Sequence, residues 1–419
     1  MDVEIRKSSR KSVVFMLFLY MVINFADKAV LGIVSIFMMQ DLNLSASEYG
    51  FIASSFFFCF FISGIFFGFI SNKYSSKWII ALLVLIWSVT QLPIVLWPSF
   101  GVILICRILL GIGEGPAYPI AIHALYKWFP DHQRNRVTTI IAQGGPIGII
   151  CATPLLAGIT EYYGWKSTFL CLSFIGIIWL ILWLYIGKEG NLDHLGMESK
   201  ALVKDSHVSY KRLIFNRSIH GVIFLSFAAY WILTMLLTWF PAYLQKGFGM
   251  SISAMSFWMA AIVLIMVPIS FMGSSISQYF LNRGYGSRYS RAALVSLFVF
   301  LGGVSIFLAL EIEQNYIFSL FLFALGFALP NLVFSLGPTI IAEIVPVQQR
   351  GALLAIVHSI ATMAGIIAPL ITGWLIDQSM NPVDGFALSF QLVAGLLCLA
   401  GLMGGIMIKP RFAQEKLAI

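Results

Sequence analysis

The chain has 419 residues, of which 59% are hydrophobic and only 11% charged, with a mean hydropathy of +0.91 and a formal net charge of +8. A soluble domain carries about 25% charged residues, so this composition excludes a soluble enzyme or nucleic-acid module and points to an integral membrane protein. The apolar runs, about 20 to 30 residues each, lack the period-two alternation of an outer-membrane barrel and predict spanning helices.

In chain order, a short basic N-terminus precedes a first span at 13–38. The run exceeds a signal-peptide core and no small-residue cleavage site follows it, so it is expected to stay in the membrane. Within it, Asn24, Phe25, Asp27 and Lys28 bring a charged pair into hydrocarbon. Further spans are predicted at 48–71, 77–97, 99–126, 137–161 and 165–186, then at 219–244, 253–280, 292–310, 316–343, 352–377 and 386–408. The expectation is an all-α integral membrane protein of twelve transmembrane helices. The polar break at 187–217 reads as a linker between an N-terminal six-helix half, 1–186, and a C-terminal half, 218–419.

Basic residues set the orientation. With both termini in the cytoplasm, Lys166 and Lys246 fall outside, Lys28 and Arg107 fall in the membrane, and the other 22 of the 26 Lys and Arg are cytoplasmic. This distribution assigns the positive charge to topology and to contact with anionic membrane lipids, and no nucleic-acid partner is implied. Cys59, Cys106, Cys151, Cys171 and Cys398 all lie in predicted spans, without a CxxC pair or metal spacing, and read as packing residues. There is no nucleotide cassette, no enzyme constellation and no cofactor motif. Energy for any accumulation must then come from an ion gradient.

The fourth span carries Arg107 and Glu114. Each intramembrane charge costs on the order of 2.5 to 3.5 kcal/mol, and residues retained at that cost face a partner or a water-filled path. Seven residues is two helical turns, so both point to one side. Counted from the cytoplasmic ends of their spans, Asp27 and Glu114 sit at one depth, about 21 Å in, with Lys28 and Arg107 nearer the outside. The four charges sum to zero. Such a quartet can be a structural staple; alternatively, a carboxylate exchanges its cation for a proton when an anionic ligand claims that cation. Gly111, Gly113 and Gly115 follow no strand, which rejects a phosphate loop and favours close helix approach.

The halves repeat each other. Pro130 and Arg134 after the fourth span correspond to Pro346 and Arg350 after the tenth, both at an offset of 216 residues, and Gly158 and Gly373 keep nearly that spacing. Parallel repeats of this kind are related by a pseudo-two-fold axis, place a binding site near the midplane and permit alternating access by rocking.

Twelve spans, the long middle loop, the paired Pro-x-x-x-Arg signatures and the glycine-rich fourth span resemble the major facilitator superfamily. More narrowly, Asn24-x-x-Asp27-Lys28, Arg107 with Glu114, Lys127-Trp-Phe-Pro130 with Arg134, and Gly164-Trp165-Lys166 with Phe169 resemble the anion:cation symporter family. That family includes proton-linked importers of sugar acids and aromatic acids, and the sialin-like and vesicular glutamate carriers. The resemblance implies proton-coupled uptake of a small organic anion, with Asp27 and Glu114 as the proton-linked pair and protons, or else sodium, as the coupling ion. It implies a multi-pass monomer in a bacterial-type inner membrane. A proton-antiport exporter and a transporter-like ligand sensor are the alternatives.

Departures from the family pattern carry information. Lys28 stands where arginine is usual and loses bidentate geometry toward a carboxylate, which makes Arg107 the expected anchor. Phe25 and Phe60 stand where sugar-acid carriers often have tyrosines, which favours a less hydroxylated carboxylate. His358 stands where asparagine is common. Gln143, Asn331 after Pro330, and Tyr230 with Trp231 are candidates to close the pocket. Asn72 and Lys73, in the place of the superfamily's gating signature, and Arg134 and Arg350 are the expected gating residues, with Asn72 and Ser75 replacing the usual Asp and Gly.

Overall fold

The structure, a computed structural model, describes residues 2–70, 74–129, 131–190, 208–312, 315–346 and 349–417. Among these residues twelve helices are long and apolar enough to cross a membrane. They are α1 (Asp2–Leu42), α2 (Ala46–Ile70), α3 (Ser76–Leu96), α4 (Phe100–Tyr126), α5 (Asp131–Tyr163) and α6 (Trp165–Ile186). There follow α7 (Arg217–Thr238), α8 (Ile252–Asn282), α9 (Arg288–Glu311), α10 (Tyr316–Ile344), α11 (Arg350–Gln378) and α12 (Pro382–Met407). Each predicted span falls on one of them, but the seventh, expected to reach residue 244, ends at Thr238, and the chain continues past Trp239 in a separate short helix, Phe240–Lys246. The end expected for the second span, Ser71, lies outside the described residues, as do Pro130 and most of the linker.

Several spans are broken by proline, which lacks an N–H and clashes with the carbonyl four residues back. α3 is interrupted at Gln91, two residues before Pro93, and α4 at Gly115 and Pro116. α10 makes one 3-10 turn at Pro330–Leu332. These breaks free backbone groups and aim polar side chains inside an otherwise apolar run.

The chain divides into two compact units, Met1–Val203 with Ser251–Ala260, and Lys204–Met250 with Ala261–Ile419. In the first unit, α4 crosses α2 at Gly111 and Gly115. A Cβ at these positions would meet the carbonyl oxygens of Phe56 and Phe60 respectively, so only glycine permits the approach. Ser63 Oγ donates to the Gly111 carbonyl across the same contact, at 3.2 Å. Gly144 and Gly148 of α5 also approach the α1 backbone closely, at Phe18 and Val22.

Loop ends are held by side chains that the sequence motifs supply. Ser45 and Glu48 form a reciprocal capping box at the start of α2, at 2.9 and 3.1 Å. Gly164, with φ of +81°, turns the chain from α5 into α6. The next two residues clasp the end of α1: Trp165 Nε1 donates to Asp41 Oδ2 at 3.1 Å, and Lys166 Nζ lies 3.0 Å from the same oxygen. The Gly164-Trp165-Lys166 motif is therefore a brace between helix ends.

Glu189, just past α6, caps α3. Its carboxylate accepts from Ser75 Oγ at 2.7 Å and from the backbone N–H groups of Ser76 and Lys77 at 3.1 Å each, and pairs with Lys127. Burial alone would raise its pKa, but these donors together hold the carboxyl down at about 2 against an ordinary 4.5. Ser75 makes no cap bond of its own, so a carboxylate more than 100 residues away in sequence does the capping.

Candidate functional site

The first unit collects charges where α1, α3 and α4 meet. α1 supplies Asn24, Asp27 and Lys28, α4 supplies Arg107 and Glu114, and the break in α3 supplies Gln91. Asp27, Arg107 and Glu114 are only 1%, 3% and 0% exposed. The Lys28 side chain retains 11%, so it is the most accessible charge of the four.

Contacts divide the labour. Lys28 Nζ donates to Asn24 Oδ1 at 2.6 Å and stands 3.9 Å from Glu114 Oε2, beyond hydrogen-bond range. Phe25 and Phe60 flank the same ammonium, with ring centroids 4.5 and 5.0 Å away. The Arg107 guanidinium lies over the Phe56 ring at 4.8 Å. Aromatic faces thus surround both cations, beside the one oxygen that Asn24 offers Lys28. Gln91 Nε2 donates to Asp27 Oδ1 at 2.9 Å, and Asp27 lies within electrostatic reach of Glu114, Arg107 and Lys28.

The cluster is electrically balanced but short of hydrogen bonds. Among the described residues, both Glu114 oxygens and Arg107 Nε and Nη1 are buried without a hydrogen-bond partner. A buried charged group left unsatisfied costs more than the about 1 to 3 kcal/mol of a neutral one. A fully satisfied staple would not keep that deficit. Cations and carboxylates packed this closely in a buried site are the kind of arrangement in which a carboxylate's proton affinity depends on where its neighbouring cation sits.

The remaining expected residues separate. In the second unit, Tyr230 on α7 packs edge-on against His358 of α11 and Phe334 of α10, with centroids 6.0 and 6.2 Å apart. Trp231 is buried and packs on Phe227. Asn331 Nδ2, freed by the turn at Pro330, donates to Ser270 Oγ of α8 at 3.0 Å. Gln143 is half-buried on α5, beside the glycines that meet α1. Asn72 and Lys73 lie outside the described residues.

Arg134 and Arg350 brace the turns that precede them. Arg134 Nε donates to the Phe129 carbonyl at 3.1 Å, and Arg350 Nε to the Val345 carbonyl at 3.0 Å. Donor and acceptor are five residues apart in both, so the repeat seen in sequence recurs as one local geometry in each half.

Gln91 was not anticipated. Its signal was present, since it is the one amide in the third span and sits beside a helix-breaking proline. The Lys127–Glu189 pair also went unread, because Glu189 falls in the polar break where charge is ordinary. Among the described residues no group of His, Cys, Asp or Glu is placed to hold a metal ion.

A family model described as the Major Facilitator Superfamily matches residues 16–287 and 266–417. The chain belongs to the major facilitator superfamily. This is a superfamily of membrane transporters, not of enzymes. The chain is 30% identical to the hexuronate transporter of Bacillus subtilis over 95% of its own length and 94% of that protein. It is 25% identical to the probable galactarate/D-glucarate transporter GarP of Escherichia coli, over 95% of each. It is 24% identical to the probable sulfoacetate transporter SauU of Cupriavidus necator, over 97% of this chain and 95% of that one. These relatives are named for anionic cargo, in line with the likeness to anion:cation symporters. Among solved structures, a bacterial homologue of the human lysosomal transporter Spinster has a TM-score of 0.80 at 17% identity, covering 98% of each chain. A D-xylose–proton symporter has 0.78 at 18%, covering 96% of this chain and 98% of its own. At such identities the superfamily fold is what these structures share with this chain.

Proposed function

We propose that this superfamily member is a secondary active transporter that takes up a small organic anion, a carboxylate, together with protons by alternating access. The observation that carries the proposal is the buried group of Asp27, Glu114, Arg107 and Lys28, neutral in sum, with Arg107 and Glu114 short of hydrogen bonds. Lys28, the partly exposed cation, meets the carboxylate first, and Arg107 supplies the second charge. Drawing Lys28 toward an anion removes the cation nearest Glu114, which then takes a proton. Asp27, held by Gln91, is the second proton carrier.

Phe25 and Phe60 hold the Lys28 ammonium between apolar faces and offer no hydroxyl. They therefore favour a carboxylate with few hydroxyl groups over a polyol acid. Tyr230, His358, Asn331 and Gln143 are assigned to the substrate side of their helices, and Arg134 and Arg350 to the cytoplasmic gate. The distribution of Lys and Arg supports a topology with both termini in the cytoplasm, and the proposed location is a bacterial-type inner membrane.

The test is transport in vesicles. Thermal unfolding against hexuronates, glucarate, sulfoacetate, aliphatic and aromatic carboxylates and lipophilic cations at pH 5.5 and 7.5 first identifies a ligand; one present at 100 times its Kd adds about 2.7 kcal/mol. With that ligand, Asp27→Asn and Glu114→Gln are expected to abolish concentrative uptake while sparing exchange. Undiminished accumulation in both variants overturns the proton roles. Stabilisation by lipophilic cations alone overturns anion uptake.

A further inference from the structure

We propose that the second unit carries a binding site for the phosphate-bearing headgroup of an anionic membrane lipid. The site is a cavity of about 410 Å³ between the chain entering α7 and the chain leaving α12. This volume falls in the range of small-molecule sites, about 300 to 1,000 Å³. The proposal stands apart from the transport reaction and uses none of its residues.

The cavity is built by hydrogen bonds. Asn216 caps α7 by accepting from the Ser218 N–H at 2.9 Å. Ser218 Oγ in turn accepts from the backbone N–H of Lys409 at 3.0 Å. These bonds tie the start of one spanning helix to the exit of another, nearly 200 residues later in sequence. Arg212, Arg217 and Lys409 are thereby gathered around one space, and among the described residues no acidic side chain lines it. Three cations would repel one another in a low-dielectric interface, and a shared anion relieves that repulsion.

The surroundings favour a lipid over a free ion. Phe215 and Phe412 also line the cavity, 69% and 61% exposed. Arg217 is the first residue of α7 and Met407 the last of α12, so the cavity opens at the level where the spanning helices leave the hydrocarbon. Aromatic rings there meet acyl chains, while the cations meet the phosphate. An inorganic phosphate would use the cations and leave both rings in water.

Native mass spectrometry of the full chain, purified in detergent and titrated with phosphatidylglycerol or phosphatidylcholine, tests the site. Each cation near an anionic headgroup contributes about fivefold in affinity, so phosphatidylglycerol is expected to be retained at least tenfold better. The combined variant Arg212→Gln, Arg217→Gln, Lys409→Gln is expected to bring the two lipids level. A variant with the same charge removed elsewhere, Lys188→Gln, Arg283→Gln, Arg288→Gln, is expected to keep the preference. Equal retention of both lipids by the unaltered protein overturns the proposal, as does loss of preference in both variants. Displacement of phosphatidylglycerol by millimolar inorganic phosphate would also overturn it, since the site would then belong to a free anion. Should the first variant not fold, Phe215→Ser with Phe412→Ser, expected to weaken lipid but not phosphate, takes its place.

Discussion

Replacing Glu189 by glutamine isolates the energetics of a helix cap supplied from a distant segment. The carboxylate serves Ser75 Oγ, the N–H groups of Ser76 and Lys77, and the Lys127 ammonium. An amide keeps one acceptor oxygen but loses the charge and the second oxygen. Losing a cap costs about 1 kcal/mol, within a range of about 0.5 to 2, and a partly exposed ion pair adds about 0 to 1. A second route gives a similar figure. The difference between 4.5 and about 2 corresponds in full to about 3.4 kcal/mol by proton linkage. Lys127 and Glu189 keep 13% and 31% of their side-chain exposure, and solvent screening reduces that to about 1 to 2 kcal/mol. The sign follows from a folded-state pKa below the unfolded one. The contribution is complete above about pH 4.5 and disappears as pH falls toward about 2. Thermal unfolding of the purified protein and of Glu189→Gln, followed from pH 7 to pH 3, is therefore expected to show a constant gap down to about pH 5 that narrows below it. A gap that persists unchanged at pH 3, or no gap at pH 7, would refute the cap and its charge dependence.

Three further outcomes are expected. Gln91→Leu removes the hydrogen bond to Asp27; a bond to a charged acceptor is worth about 1.5 to 3 kcal/mol, so initial uptake rates should fall about tenfold or more with unfolding temperature little changed, and an unaltered rate would remove Gln91 from the site. Gly115→Ala puts a Cβ against the Phe60 carbonyl and Ser63 Oγ and should cost about 1 to 3 kcal/mol. Gly158→Ala, where a Cβ meets nothing within 4 Å, should be neutral or stabilising by up to about 1 kcal/mol; equal effects in thermal unfolding would contradict the close crossing of α2 and α4. Asp41→Asn breaks a pair whose side chains are 40% and 44% exposed and should cost under about 1 kcal/mol, less than Glu189→Gln in the same assay.

Composition and periodicity by themselves determined the membrane class, the twelve spans and the repeat at Arg134 and Arg350, because each is a property of consecutive residues or of one fixed spacing. A charge in hydrocarbon is conspicuous wherever it occurs, so Asp27, Lys28, Arg107 and Glu114 also stood out without coordinates. Who touches whom was decided only by tertiary structure. Nothing in the sequence shows that Phe25 and Phe60, 35 residues apart on two helices, flank the same Lys28 ammonium. Gln91 acquired a role only when the break before Pro93 turned its amide onto Asp27, 64 residues away. Glu189 looked like one charge among many in a polar segment, yet it caps a helix more than 100 residues before it. Distant pairings of this kind follow from how helices cross, and the crossings are set by glycines such as Gly111 and Gly115 whose partners lie on another helix. Local sequence carries the small residue; only the packed fold supplies the surface it must fit.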